Sequence, residues 1–127
     1  KPLIVYTPAL ERGYTPDTTV VDEPIADGPV NGDGTYSGAM SLRQAVARSK
    51  NTIAWKIFEE LTPEVGISYL EAMGFSNLDA NDKRLPASIG GFTNGITTGD
   101  GKRLCNHQKR WWLSQSDLHY EDHRCRW

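Results

Sequence analysis

Residues 1–98 contain no cysteine and no histidine. No disulfide, thiolate or imidazole chemistry can be built from that stretch. A charge excess is also missing: 14 Lys and Arg against 16 Asp and Glu leave a net charge of −2. That balance gives no electrostatic reason to expect nucleic acid or an anionic membrane surface as partner. No apolar run approaches the roughly 20 residues a membrane helix needs. There is no initiator methionine and no signal peptide, and Lys1-Pro2-Leu3 opens in mid-pattern, so an upstream segment is expected. What is there is 127 residues with 38% apolar content, enough for one small domain or part of a larger one.

The missing residue types return all at once. Cys105, Cys125, His107, His119 and His123 lie within residues 99–127, with Trp111, Trp112 and Trp127. A composition shift this sharp marks a boundary near residue 98.

Before that boundary the pattern is helical. Leu3, Ile4, Val5, Ala9 and Leu10 form an apolar stripe, Pro2 is tolerable in a first turn, and Gly13 suits a helix end. Tyr14 to Asp17 reads as a turn and Thr18 to Val21 as extended chain. Pro24, Gly28, Pro29, Gly32, Gly34 and Gly38 make residues 24–38 a long surface loop. Ser41 can cap a helix over Leu42 to Arg48, with Leu42, Ala45 and Val46 inward. A second helix over about Thr52 to Leu61 places Ile53, Ile57 and Leu61 on one face. Thr62-Pro63-Glu64 supplies a cap, an N1 proline and a first-turn acid for a third. That helix carries Val65, Ile67, Leu70 and Met73 and ends at Gly74. Residues 76–84 read as polar loop and 85–98 as Gly-rich and irregular, so little sheet is expected.

Taken bare, Ser49-x-Asn51 is a weak signal, because serine and asparagine between helices usually cap and turn. The flanking residues carry more. Leu42-Arg43-Gln44-Ala45-Val46-Ala47-Arg48-Ser49-Lys50-Asn51-Thr52-Ile53-Ala54 resembles the second conserved stretch of class A penicillin-binding proteins, where a helix ends in Ser-x-Asn. Lys1-Pro2-Leu3, with Leu10-Glu11-Arg12-Gly13-Tyr14-Thr15-Pro16-Asp17-Thr18, resembles the stretch after their nucleophile. There Ser-x-x-Lys-Pro opens a buried helix that ends in a Gly-Tyr-Thr-Pro-type turn. Leu85 to Thr97, with Gly90-Gly91 and Gly95-Ile96-Thr97, resembles the family's Gly-Gly-x-x-x-Gly-Val-Thr segment. Together with Asp22-Glu23-Pro24 and the loop near Tyr36, these matches cover residues 1–98 in family order. Ser-x-x-Lys, Ser-x-Asn and Lys-Thr-Gly are the three motifs of penicillin-recognising enzymes.

The resemblance implies an α+β fold of the penicillin-binding and serine β-lactamase-like kind, a five-stranded antiparallel sheet with flanking helices. This stretch would be its mostly helical lobe with long loops, lacking most of the sheet. Lys1 corresponds to the lysine of Ser-x-x-Lys, which takes the nucleophile's proton once its pKa is lowered. Ser49 corresponds to a proton relay. Asn51 corresponds to the asparagine that holds the substrate's peptide carbonyl and orients the lysine. Lys50, the middle residue, is expected to face solvent, and Gly90 and Gly91 to serve packing. The implied activity is a serine D-Ala-D-Ala transpeptidase acting on peptidoglycan stem peptides and trapped by β-lactams, with no cofactor and no metal. The implied parent is anchored in the cytoplasmic membrane and carries a glycosyltransferase, with this domain on the cell-wall side; the piece itself is soluble.

The 127 residues contain no Ser-x-x-Lys and no Lys-Thr-Gly, and Lys102 is followed by Arg103. The chain alone is therefore expected to be inactive and marginally stable. Other readings are a related serine β-lactamase or penicillin-sensor domain, or a non-enzymatic zinc-binding or interaction module built on the late Cys and His residues. For residues 99–127 a frameshift accounts for more. Synonymous codons from Thr98 onward, read one base later, can yield Leu-Glu-Met-Ala-Lys-Gly-Phe-Ala-Thr-Ile-Lys-Asn-Asp-Gly-Gly-Tyr. That order resembles the family's continuation, so residues 99–127 are expected to be a frameshifted, non-native tail, disordered or poorly packed.

Overall fold

The computed structural model describes residues 1–95. The frameshift and zinc expectations for residues 99–127 lie outside the described residues. Pro2–Tyr6 form a π-helical turn that runs directly into α1, Thr7–Glu11. Leu3, Ile4, Val5 and Tyr6 are all buried, so this segment passes through the lobe rather than over its surface. Leu10, expected inward, is 45% exposed. It lies one residue before the helix end, where the chain turns away at Gly13 with φ +101°.

The chain returns as β1, Thr19–Asp22, which pairs antiparallel with β2, Gly38–Ser41, from Thr19 opposite Ser41 to Asp22 opposite Gly38. The second strand is absent from the sequence pattern. Gly-Ala-Met-Ser has low strand propensity and becomes extended because β1 offers it a ladder.

Ser41 closes β2 and opens α2, Leu42–Ala47, through a capping box. Its Oγ accepts from the Gln44 N–H at 3.3 Å, and Gln44 Oε1 accepts from the Ser41 N–H at 3.2 Å. Leu42 and Ala45 turn inward, but Val46 does not: it is 42% exposed. The short α2 packs on β1 and β2.

α3, Asn51–Leu61, buries Thr52, Ile53, Ala54, Ile57, Phe58 and Leu61. α4, Pro63–Ala72, follows after Thr62 alone. Thr62 occupies the N-cap position at φ +71°, but its side chain makes no capping bond. The start of α4 is carried instead by Pro63 and the first-turn Glu64.

Two 3₁₀ turns, Ala80–Asp82 and Leu85–Ile89, complete the described chain. Buried Asp82 accepts from the N–H groups of Asp79 (2.9 Å) and Thr93 (2.7 Å) and from Thr93 Oγ1 (2.7 Å), tying the Gly-Gly segment down. Gly90 sits at φ +101°, and a Cβ on Gly91 would lie 2.9 Å from the Pro86 carbonyl oxygen. These two glycines therefore serve backbone geometry. A single core runs from Leu3 to Ala87 and unites the opening helix, α3 and α4. Among the described residues, no helix is long and apolar enough to cross a membrane.

Candidate active site

Three chain positions converge at the edge of the lobe. Lys1 precedes the buried opening helix, Ser49 lies between α2 and α3, and Asn51 is the first residue of α3. Lys1 Nζ donates to Ser49 Oγ at 3.0 Å, to Asn51 Oδ1 at 2.5 Å and to the Ser49 carbonyl oxygen at 2.7 Å. An ammonium has three N–H donors, and here each has an acceptor. Lys1 and Asn51 are half-buried and Ser49 is exposed, so the hydroxyl faces outward while the amine is shielded. Burial lowers the Lys1 pKa from its ordinary value. The direction suits an amine that must accept a proton near neutral pH.

The backbone at Ser49 explains how the hydroxyl comes to point there. The Ser49 N–H donates to Val46 O at 3.0 Å and the Lys50 N–H donates to Ala45 O at 3.1 Å. This pair of bonds is a Schellman ending for α2, and it requires a left-handed residue just past the helix. Ser49 adopts φ +53°. Glycine is the usual occupant, and a side chain there costs roughly 1–3 kcal/mol. Glycine would relieve that strain but would remove the hydroxyl that Lys1 contacts.

Lys50 does not face solvent. It is 1% exposed, and its Nζ lies 3.1 Å from Asp22 Oδ2, 2.9 Å from Asp33 Oδ2 and 3.0 Å from the Thr35 carbonyl oxygen. The correction has a physical cause. The left-handed turn at Ser49 sends neighbouring side chains in different directions, and the β1–β2 loop folds over Lys50 with acceptors enough to replace its water. Asp22 and Thr52 stand in the family-like stretches with no role assigned to them, and Asn31, Asp33 and Thr35 are not singled out by the sequence. Their signal is weak, because Asn-Gly-Asp-Gly reads as an ordinary turn.

Burial pushes the Asp22 carboxyl up, but hydrogen bonds from Thr52, Asn31, the Ser37 N–H and Lys50 outweigh it and hold the group below its ordinary value. The Thr35 N–H and then Lys50 hold Asp33 down at about 2. The Asp33 contact in turn raises Lys50 against the effect of burial. Carboxylates depressed in the folded state add stability that is fully present above their ordinary value of 3.8. That stability is lost as pH falls through the folded values, toward 2 for Asp33. Thermal unfolding followed by circular dichroism is therefore expected to show a falling midpoint over that acid window, with a shallower fall for Asp33→Asn. A midpoint independent of pH there would contradict the network.

Among the described residues, no group of three or more His, Cys, Asp or Glu could hold a metal ion. What the cluster can do is move a proton between a shielded amine and an exposed hydroxyl, beside an amide that has both a donor and an acceptor.

Comparisons with known proteins identify the family. The family described as the penicillin binding protein transpeptidase domain matches residues 1–100. Penicillin-binding protein 1F of Bacillus subtilis is 36% identical over 101 residues, covering 76% of this chain and 14% of the relative. Penicillin-binding protein 1A of Neisseria cinerea is 37% identical over 99 residues, covering 70% of this chain and 12% of the relative. The crystal structure of penicillin-binding protein 1A from Haemophilus influenzae superposes with a TM-score of 0.63 at 28% identity, over 72% of this chain and 15% of that one. The chain thus spans well under a fifth of the length of each of these proteins. The helical lobe with its two strands is a stretch of the transpeptidase fold, and the chain belongs to the class A penicillin-binding protein transpeptidase family.

Proposed function

We propose that this chain is part of a serine D-Ala-D-Ala transpeptidase in which Lys1 is the general base, Ser49 a proton relay and Asn51 a substrate-orienting amide. The observation that carries the reading is one ammonium bonded to both Ser49 Oγ and Asn51 Oδ1 across 48 and 50 residues of sequence. The nucleophile in this reading is a serine three positions ahead of Lys1, on the same helical face. With Lys1 in its neutral form, the serine O–H proton passes to the amine's lone pair as the oxygen attacks the penultimate D-Ala carbonyl. The C–N bond to the terminal D-Ala breaks, and that amine leaves with a proton relayed from Lys1 through Ser49 Oγ. The amine of a second stem peptide then attacks the ester carbonyl; the ester C–O bond breaks, and the proton lost by the amine passes by way of Lys1 to the serine oxygen. A β-lactam enters by the same attack and leaves slowly.

Asn51 suits its role by elimination. Its Oδ1 is taken by Lys1, and one of its two Nδ2 hydrogens goes to the Val30 carbonyl at 2.8 Å. The second hydrogen is available to a substrate carbonyl. The same reading places the parent protein at the cytoplasmic membrane, with this domain facing the cell wall. It treats residues 1–98 as family sequence and 99–127 as a shifted frame.

Sequencing the locus tests both ends. A serine codon is expected three positions before Lys1, and a one-base shift after the Thr97-Thr98 codons should restore Leu-Glu-Met-Ala. Another residue at the first position overturns the lysine assignment; an uninterrupted frame shared by close relatives overturns the second. A fluorescent penicillin should label the repaired gene product and leave the 127-residue chain unlabelled. Labelling of the latter would mean the nucleophile is elsewhere.

A further inference from the structure

The start of a helix leaves backbone N–H groups with no partner inside the helix. For α3 the N-cap residue is Lys50, whose side chain has no acceptor to offer. The cap comes instead from a distant loop. Asn31 Oδ1 accepts from the Asn51 N–H at 2.8 Å and from the Thr52 N–H at 3.3 Å. The preceding carbonyl, Val30 O, accepts from Asn51 Nδ2. Two consecutive loop residues therefore hold Asn51 by its backbone and by its amide.

Nothing apolar anchors the loop at this point: the Val30 side chain is 64% exposed, while Asn31 is only 4% exposed. Asn31 is kept in place by polar contacts, its Nδ2 donating to Asp22 Oδ1 at 2.7 Å and to Thr35 O at 2.8 Å. Asp22 and Thr35 are both partners of the Lys50 ammonium, and Asp33 closes the cluster from the outer side. Thr52 Oγ1 adds a bond to Asp22 Oδ1 at 2.6 Å. The links run from the buried cation through Asp22 and Thr35 to Asn31, whose chain neighbour Val30 supplies the second group that holds Asn51.

We propose that Lys50 is a positioning residue for Asn51: its ammonium gathers Asp22 and Thr35, which seat Asn31, and with it the neighbouring Val30 carbonyl, on the start of α3 and set the plane of the Asn51 amide. The functional meaning rests on the substrate-orienting assignment of Asn51; the geometry does not. A buried apolar residue could fill the space but could not draw the loop carbonyls and carboxylates toward the Ser-x-Asn turn. The middle position of that motif thus connects the catalytic turn to the β1–β2 loop.

Amide hydrogen exchange and side-chain resonances of the ¹⁵N-labelled 127-residue chain test this. In Lys50→Met, exchange at the Asn51 and Thr52 amides is expected to speed up on the order of tenfold, the scale of a lost cap. The two Asn51 Nδ2 protons should lose their separate, protected signals, while Ile67 and Leu70 in α4 stay as in the parent chain. If Lys50→Met does not fold, Asp22→Asn combined with Lys50→Met leaves neither buried charge and carries the same expectation. Asp33→Asn keeps the Lys50–Asp22 contact and should change exchange by less than about threefold, as for other half-exposed pairs. Unchanged exchange and unchanged Asn51 side-chain signals in a folded Lys50 variant would overturn the proposal. Failure of the transpeptidase reading itself would show elsewhere, as undiminished penicillin acylation in Lys1→Met, with the exchange result intact.

Discussion

Lys1→Met in the full-length protein described by the proposed function is expected to slow acylation by a fluorescent penicillin by roughly 100- to 10,000-fold, the range by which positioned general bases accelerate such steps. Methionine keeps the length and apolar stem of the lysine but can neither take a proton nor donate to Ser49 and Asn51. The half-buried position limits the structural cost, so the far-ultraviolet circular dichroism should be unchanged. The pH profile separates chemistry from packing. The unmodified protein should gain rate as pH rises through the lowered pKa of Lys1, and the variant should lose that limb. Acylation within about threefold of the unmodified rate would remove Lys1 from the mechanism, since even a modest general base contributes more.

The second large effect lies in the support beneath the site. Gly66→Ala is expected to destabilise the lobe by about 1–3 kcal/mol, read as a lower urea midpoint. A Cβ at Gly66 would lie 2.2 Å from Phe58 Cε2, 2.7 Å from the Ile4 carbonyl oxygen and 2.9 Å from Ile4 Cγ1. Phe58 is fully buried and cannot swing aside, and the Ile4 oxygen is backbone. Helix propensity acts the other way, by up to about 1 kcal/mol in favour of alanine. Overpacking outweighs that gain, so the net effect is destabilising. A midpoint that rises with alanine would show that α4 does not approach the opening helix this closely. Because Ile4 lies three residues after Lys1, this approach also fixes the backbone that carries Lys1.

Much of the helical layout is legible in the sequence because its signals are local. Ser41 is legible as the cap of α2, and Pro63 with Glu64 starts α4. The apolar spacing of Ile53, Ile57 and Leu61 defines the inner face of α3. Leu10 and Val46 defied their periodicity: each is exposed while the preceding alanine, Ala9 or Ala45, takes the inward position. β2 escaped detection because its strand character comes from β1. Gly66 escaped because glycine inside a helical pattern looks like a weak helix residue until the neighbouring backbone is seen.

The site divides in the same way. Sequence by itself determined which residues are candidates: Lys1, Ser49 and Asn51 are carried by motifs with strong flanking resemblance. It also carries a sharp change in composition after residue 98, where cysteine and histidine first appear. Only the tertiary structure decided that one ammonium spans both Ser49 and Asn51, and that Ser49 reaches it through a left-handed backbone. It also decided that Lys50 points inward rather than to water. A charged residue in a motif carries no record of its direction. That direction is set by acceptors fifteen and more residues away, which become neighbours only when the loop between the two strands closes over the start of α3.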